Sequence, residues 1–184
     1  MKYSRRSKRD LIRLTIKNSD ISELSNIDNN INVGILSCRN CDELTEIPNI
    51  EGIKQLYCDN CTSLTEIPNI SGLKVLSCNG CTSLTSLPNI VGLKKIFCNN
   101  CTSLTEIPHI DGLYTLKCND CTLLTRIPHI NDIRVLYCDN CTLIPIIPNI
   151  NELKVLSCNG CTSLNSIPHI VGLKKIYCDQ MLII

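Results

Sequence analysis

The chain is poor in aromatic residues. It has no tryptophan, one phenylalanine, five tyrosines and only two methionines among 184 residues. Its core must therefore be built from leucine, isoleucine and valine, plus any other apolar residue present in quantity. Net charge is also missing. Lysine and arginine number 18 against 17 acidic residues, a formal +1, which excludes a chain that binds polyanions by bulk charge. No apolar run approaches the length of a membrane span, so no membrane partner is expected. The opening MKYSRRSKRDLIRLTIKNSD is basic, but Arg13, Lys17 and Asp20 interrupt any secretory hydrophobic region. These absences predict an intracellular protein. It is cytoplasmic unless RRSKR acts as a nuclear address; the plainer reading of residues 1–10 is a solvated basic segment.

Cysteine is present in quantity: 15 residues, without an export signal, which argues for free thiols in a reducing compartment. Their spacing is strict. Cysteines fall every twenty residues from Cys38 to Cys178, and again every twenty from Cys41 to Cys161. Proline repeats in the same step from Pro48 to Pro168, and only Pro145 is out of phase. Seven full units occupy 33–172. Residues 11–32 form an atypical 22-residue first unit without cysteine, and 173–184 a truncated last one.

Each full unit reads L-x-x-L-x-C-x-x-C-x-x-L-x-x-I-P-x-I-x-G with small variations, as in LKVLSCNGCTSLTSLPNIVG at 73–92. This resembles the leucine-rich repeat, L-x-x-L-x-L-x-x-N/C-x-L, in register over 11–184. Cys78 stands at the third apolar strand position, and Cys81 where the family carries Asn or Cys. The C-x-x-L spacing departs from N-x-L and is similar to the cysteine-containing subfamilies. The repeat length and I-P-x-I segment are similar to short repeats of bacterial effectors. The Ile/Asn-rich wording is similar to repeat proteins of large amoeba-infecting DNA viruses.

The pattern predicts the shape as well. In LKVLSC, Leu73, Leu76 and Cys78 share one face, and Val75 and Ser77 point to the other. The N-G, D-N, N-N and N-D pairs that follow are turn formers. The I-P segment disfavours helix, so the return is expected to be extended or irregular. One coil cannot bury its own apolar side; stacking does so. The expected fold is a right-handed repeat solenoid with a parallel β-sheet on its concave face.

Repeated C-x-x-C invites a zinc or redox reading. Zinc requires pairs of pairs, and seven equal, equally spaced pairs give Cys58/Cys61 no reason to choose one neighbour over the other. A redox motif wants a thiolate at a helix N-terminus, whereas these pairs follow a strand and face an apolar interior. Small buried thiols are the better reading, with no metal and no cofactor. His109, His129 and His169 share a column with Asn49, Asn69, Asn89 and Asn149, which reads as an exposed turn. No paired carboxylates, phosphate loop or nucleophile elbow is legible, so the chain is read as non-enzymatic.

What remains informative is the sheet face. Beyond residue 32, ten of 11 basic residues lie in strand segments. The residue before the first cysteine reads Tyr57, Ser77, Phe97, Lys117, Tyr137, Ser157, Tyr177. Lysines can simply keep a sheet soluble, but aromatics among them fit an interface. The candidate partner-binding residues are Tyr57, Phe97, Tyr137 and Tyr177, with Lys94, Lys95, Lys174 and Lys175 steering an acidic protein partner. The expected function is a protein-interaction scaffold. The alternatives are a nucleic-acid-binding solenoid, or the recognition part of an effector whose catalytic domain lies elsewhere. The apolar ending CDQMLII predicts end-to-end self-association or fraying over 173–184.

The thiols are expected to be reduced and metal-free. Thiol counting in denaturant without reductant should return all 15. Elemental analysis giving about one zinc per two C-x-x-C pairs would contradict the reading.

Overall fold

The twenty-residue step is one turn of a coil. The structure, a computed structural model, describes residues 2–4, 12–17, 24 and 33–179. Ten strands lie among them: β1 (Lys2–Ser4), β2 (Ile12–Thr15), β3 (Val33–Ser37), β4 (Gln55–Tyr57), β5 (Val75–Ser77), β6 (Lys95–Phe97), β7 (Thr115–Lys117), β8 (Val135–Tyr137), β9 (Val155–Ser157) and β10 (Lys175–Tyr177). They form one sheet in sequence order. From β2 to β10 every pairing is parallel. Leu36, Leu56, Leu76, Ile96, Leu116, Leu136, Leu156 and Ile176 lie side by side in register. β2 matches Leu14 to Leu36, the 22-residue interval of the first unit, with an irregularity between Ile12 and Arg13. Leu14, Ile16 and Leu24 are buried as that unit requires; Leu11, Ser19 and Ile21 lie outside the described residues, as do 180–184.

Of the basic segment 1–10, the structure describes Lys2–Ser4. These residues pair antiparallel with β2, Tyr3 opposite Leu14. The outer edge of β2 carries unpaired backbone groups, and a returning strand satisfies them.

Within a coil, the core positions follow two rhythms. In 73–92 the buried apolar residues are Leu73, Leu76, Cys78, Cys81, Leu84, Leu87 and Ile90. The step of two from Leu76 to Cys78 is the strand. Every other step is three, over a return that is neither helix nor sheet. A threefold rhythm suits extended backbone near polyproline geometry, which the repeated Pro favours. The stacked side chains form one continuous core from Leu14 to Ile170.

Two corners close each coil. The residue before the second cysteine takes positive φ at Asn40, Asn60, Gly80, Asn100, Asp120, Asn140 and Gly160, the residue types that adopt left-handed backbone at least cost. At the other corner, Leu73 N–H donates to Ile70 O at 3.3 Å with Gly72 at φ 80°, as a type II turn demands. A lysine one coil back covers this glycine: Lys74 Nζ donates to Gly92 O, and Lys94 Nζ to Gly112 O, both at 3.1 Å. Lys54 and Lys154 place their ammonium groups beside Gly72 and Gly172. Where Tyr114 and Arg134 replace the lysine, Asp132 and Glu152 replace the glycine.

The cysteines show why the motif is C-x-x-C. None of the 15 is in a disulfide; Cys178 is partly exposed and the others are buried. At the end of each strand the backbone ladder is completed by side chains. Cys81 Sγ donates to Cys58 O at 3.1 Å, Cys101 to Cys78 O, Cys121 to Cys98 O and Cys141 to Cys118 O, each at 3.0 Å. The next ladder N–H turns to a side chain of the preceding coil: Asn99 N donates to Asn79 Oδ1 at 2.9 Å, Asn119 N to Asn99 Oδ1 at 3.0 Å. Leucine at the second cysteine position would fill the space but leave a buried carbonyl without its donor.

Two tests follow from these thiols. Cys121→Ser and Cys121→Ala leave similar space, but only serine keeps the donor to Cys98 O. Urea unfolding should find the alanine variant less stable than the serine variant by about 1–3 kcal/mol; equal stability would show that the thiol only fills space. Ionisation gives the second test. Hydrogen bonding with Cys81 and then burial hold the Cys58 thiol well above its ordinary 9.0. Cys101, Cys121 and Cys141 with burial do the same for Cys78, Cys98 and Cys118. These thiols lose protons more easily unfolded. Their contribution to stability is whole below pH 9 and is lost as pH rises further toward the folded values. The urea midpoint should therefore fall between pH 8 and pH 10.5 in buffers of equal ionic strength.

Candidate partner-binding face

Three-residue strands leave two outward positions per coil. The middle residue faces the core. The first outward column reads Gln55, Val75, Lys95, Thr115, Val135, Val155, Lys175, and the second Tyr57, Ser77, Phe97, Lys117, Tyr137, Ser157, Tyr177. Neighbouring coils lie roughly 4.8 Å apart. Aromatics in every second coil are therefore roughly 10 Å apart, with a smaller or flexible residue between them.

The sheet face thus brings together six of the eight sequence-selected residues: Tyr57, Phe97, Tyr137, Tyr177, Lys95 and Lys175. Tyr57, Phe97 and Tyr137 are half-buried, and Tyr177 is 48% exposed. Lys94 and Lys174 precede their strands and stand in the corner column, where the Lys94 ammonium serves Gly112 O. Outward direction did not always mean exposure. Ser77 and Ser157 point to the outer face, yet only 4% and 5% of their surface is open. Taller neighbours on both sides cover them.

Cations lie on these rings. The Arg39 guanidinium is 4.5 Å from the Tyr57 ring centroid. Lys117 Nζ lies 4.6 Å from the ring of Tyr137 and 5.9 Å from that of Phe97. Lys95 Nζ lies 5.5 Å from Tyr114. Such pairs hold long side chains flat against the sheet.

Two serine floors carry a polar network that reasoning from sequence missed. Ser77 Oγ donates to Asp59 Oδ1 at 2.6 Å, and Asn79 N and Nδ2 donate to the same oxygen. Eighty residues on, Ser157 Oγ donates to Asp139 at 2.7 Å, and Asn159 N donates to it at 2.8 Å. The signal was present: YCDN at 57–60 and 137–140, and LKVLSCNG at 73–80 and 153–160, are identical. A four-coil period thus overlies the twenty-residue one.

Elsewhere the surface is less organised. A depression of about 390 Å³ is lined by Lys94, Gly112, Tyr114, Asp132 and Arg134; it opens where the lysine–glycine corner is interrupted. His109 Nε2 lies 3.0 Å from Asp111 Oδ1, and His129 Nε2 3.0 Å from Asn149 O, both on exposed corners. Among the described residues, no three His, Cys, Asp or Glu side chains converge as metal ligands. No described helix is long and apolar enough to cross a membrane.

No protein-family model matches the sequence, and no curated protein does. Among solved structures, this chain is similar to the leucine-rich repeat domain of the type III effector XCV3220 (XopL). The TM-score is 0.64 at 18% identity, over 91% of this chain and 68% of that one. The fold is a leucine-rich-repeat solenoid. Its coils bear cysteine, and among the described residues the return side has almost no helix.

Proposed function

We propose that this chain is a non-enzymatic scaffold that holds a protein partner against its sheet face. The observation that carries the reading is the outward column Tyr57, Phe97, Tyr137 and Tyr177, set among Lys95, Lys117 and Lys175. Half-buried aromatics beside cations are the side chains that dominate interface energetics. The core behind them is closed by stacked Leu, Ile and Cys, so the recognition surface is the outer face. The lysines, with Lys94 and Lys174 at the corner, favour a partner with an acidic surface and steer its approach.

Nucleic acid is the second reading. The observation favouring it is Lys117 held between Phe97 and Tyr137, since cations alternating with rings also suit stacked single strands. Steep salt dependence with little regard for partner sequence separates it from protein recognition. The similarity to an effector's repeat domain fits, in addition, the recognition part of a larger assembly.

Capture from cytosolic extract with and without nuclease identifies the partner class. With the partner in hand, Phe97→Ala or Tyr137→Ala should weaken binding by about 2 kcal/mol. Charge reversal at Lys95 and Lys175 should mainly slow association and flatten its salt dependence. Asn69→Ala and Asn149→Ala, on the return side, should change neither. Loss of binding in the return-side pair, with the sheet variants intact, would show that the partner sits on the other face.

A further inference from the structure

The interrupted corner leaves a guanidinium without an acid. Beyond residue 32 the chain has three arginines, Arg39, Arg126 and Arg134. Two of them meet a carboxylate across one coil. Arg39 Nε lies 2.6 Å from Asp59 Oδ2, and Arg126 Nη2 lies 3.7 Å from Glu106 Oε2. Arg134 is exposed, and among the described residues it makes no ion pair. Asp132, two residues before it, turns its Oδ2 to the Gly112 N–H of the preceding coil at 3.1 Å. Glu152, at the next corner, is not paired with it either.

The shape of the corner explains why space remains there. In regular coils a lysine lies over the next glycine, Lys74 over Gly92 and Lys94 over Gly112. Tyr114 takes the lysine's place and Asp132 the glycine's. The depression of about 390 Å³ opens at this point, with Lys94 and Arg134 in its walls. A third cation, Lys95, lies over the Tyr114 ring. One lining carboxylate, Asp132, opposes them, and it already accepts the Gly112 N–H. The depression therefore carries a surplus of positive charge. The Lys94 ammonium gives one N–H to Gly112 O and keeps others to donate. The Arg134 fork offers the planar pair of donors that matches a carboxylate.

We infer that this depression takes a carboxylate side chain, aspartate or glutamate, from the bound protein partner. Arg134 receives it with paired N–H groups, Lys94 adds a further donor, and Tyr114 walls the seat. Lys95 belongs to the same strand as Phe97, so the seat is continuous with the sheet face. A nucleic-acid strand needs a basic groove that tracks its backbone, whereas this seat is single. The inference rests on the sheet-face reading. It gives the acidic partner one fixed point of contact that the lysine-filled corners do not offer.

The test uses the full chain and no natural partner, so its outcome is separable from that of the scaffold reading. Isotope-labelled protein is titrated at low salt with acetyl-Gly-Glu-Gly-Glu-Gly-amide, its glutamine counterpart and a short oligothymidylate, followed by NMR. The glutamate peptide should shift the amides of Gly112, Tyr114, Asp132 and Arg134, and the glutamine peptide should fail. Arg134→Gln should weaken the glutamate peptide about tenfold. Arg126→Gln, the same loss of charge on the return side, should leave it unchanged. Tyr114→Lys with Asp132→Gly rebuilds a regular corner. That double variant is more basic, yet it should lose the peptide because its own lysine fills the seat. Shifts spread over the lysines of the sheet face, equal losses at Arg134 and Arg126, or tighter binding by the double variant would overturn the inference. Oligothymidylate bound at the seat where the glutamate peptide does not bind would overturn it too. A partner later found on the return side would overturn the scaffold reading and leave the peptide measurement standing.

Discussion

Every feature of this solenoid depends on parallel stacking in one register. Because each coil from 33 to 172 has the same length, each side chain lies beside its own counterpart above and below. A residue must then be compatible with copies of itself roughly 4.8 Å away. Leucine, isoleucine and cysteine meet that condition in the interior. Asparagine meets it at the polar edge, since its Oδ1 accepts the backbone N–H of the asparagine one coil on, from Asn99 to Asn79 and from Asn119 to Asn99. Aspartate does not, and where it enters, at Asp59 and Asp139, hydroxyl and amide donors gather around it.

The same constraint explains the cysteines. A strand of three residues ends abruptly, and the carbonyl of the cysteine that follows it must find a donor in a dry interior. A thiol is small enough to stack on itself at full burial and still offers a proton to that oxygen. Asparagine, which holds this place in the leucine-rich-repeat pattern, has more polar surface to satisfy. The lysine and glycine of the opposite corner form a similar unit. Glycine permits the turn and exposes a carbonyl, and the lysine one coil back covers it; Tyr114 with Asp132, and Arg134 with Glu152, are replaced together for that reason.

Stacking also makes exceptions informative. In a structure where columns default to sameness, a column that varies is free of the packing demand. The column from Tyr57 to Tyr177 varies between ring, hydroxyl and cation, and the rings within it recur at a spacing wider than a single coil.

The sequence by itself determined the architecture. The twenty-residue period, the step of two at Leu76 and Cys78, the I-P segments and the turn-forming pairs each encode local backbone and burial, and together they admit one way of stacking. The sequence also marked the ring column, since alternation along a strand fixes which face a residue takes. Only the tertiary structure decided what direction alone cannot: that Ser77 and Ser157 are outward yet covered, that Lys94 serves a corner carbonyl, and that Lys2–Ser4 closes the first edge. It also decided that the thiols complete the ladder. Apart from the Lys2–Ser4 pairing, these are contacts between residues about twenty apart, set by distances across coils, and no local pattern records them until the coils are stacked.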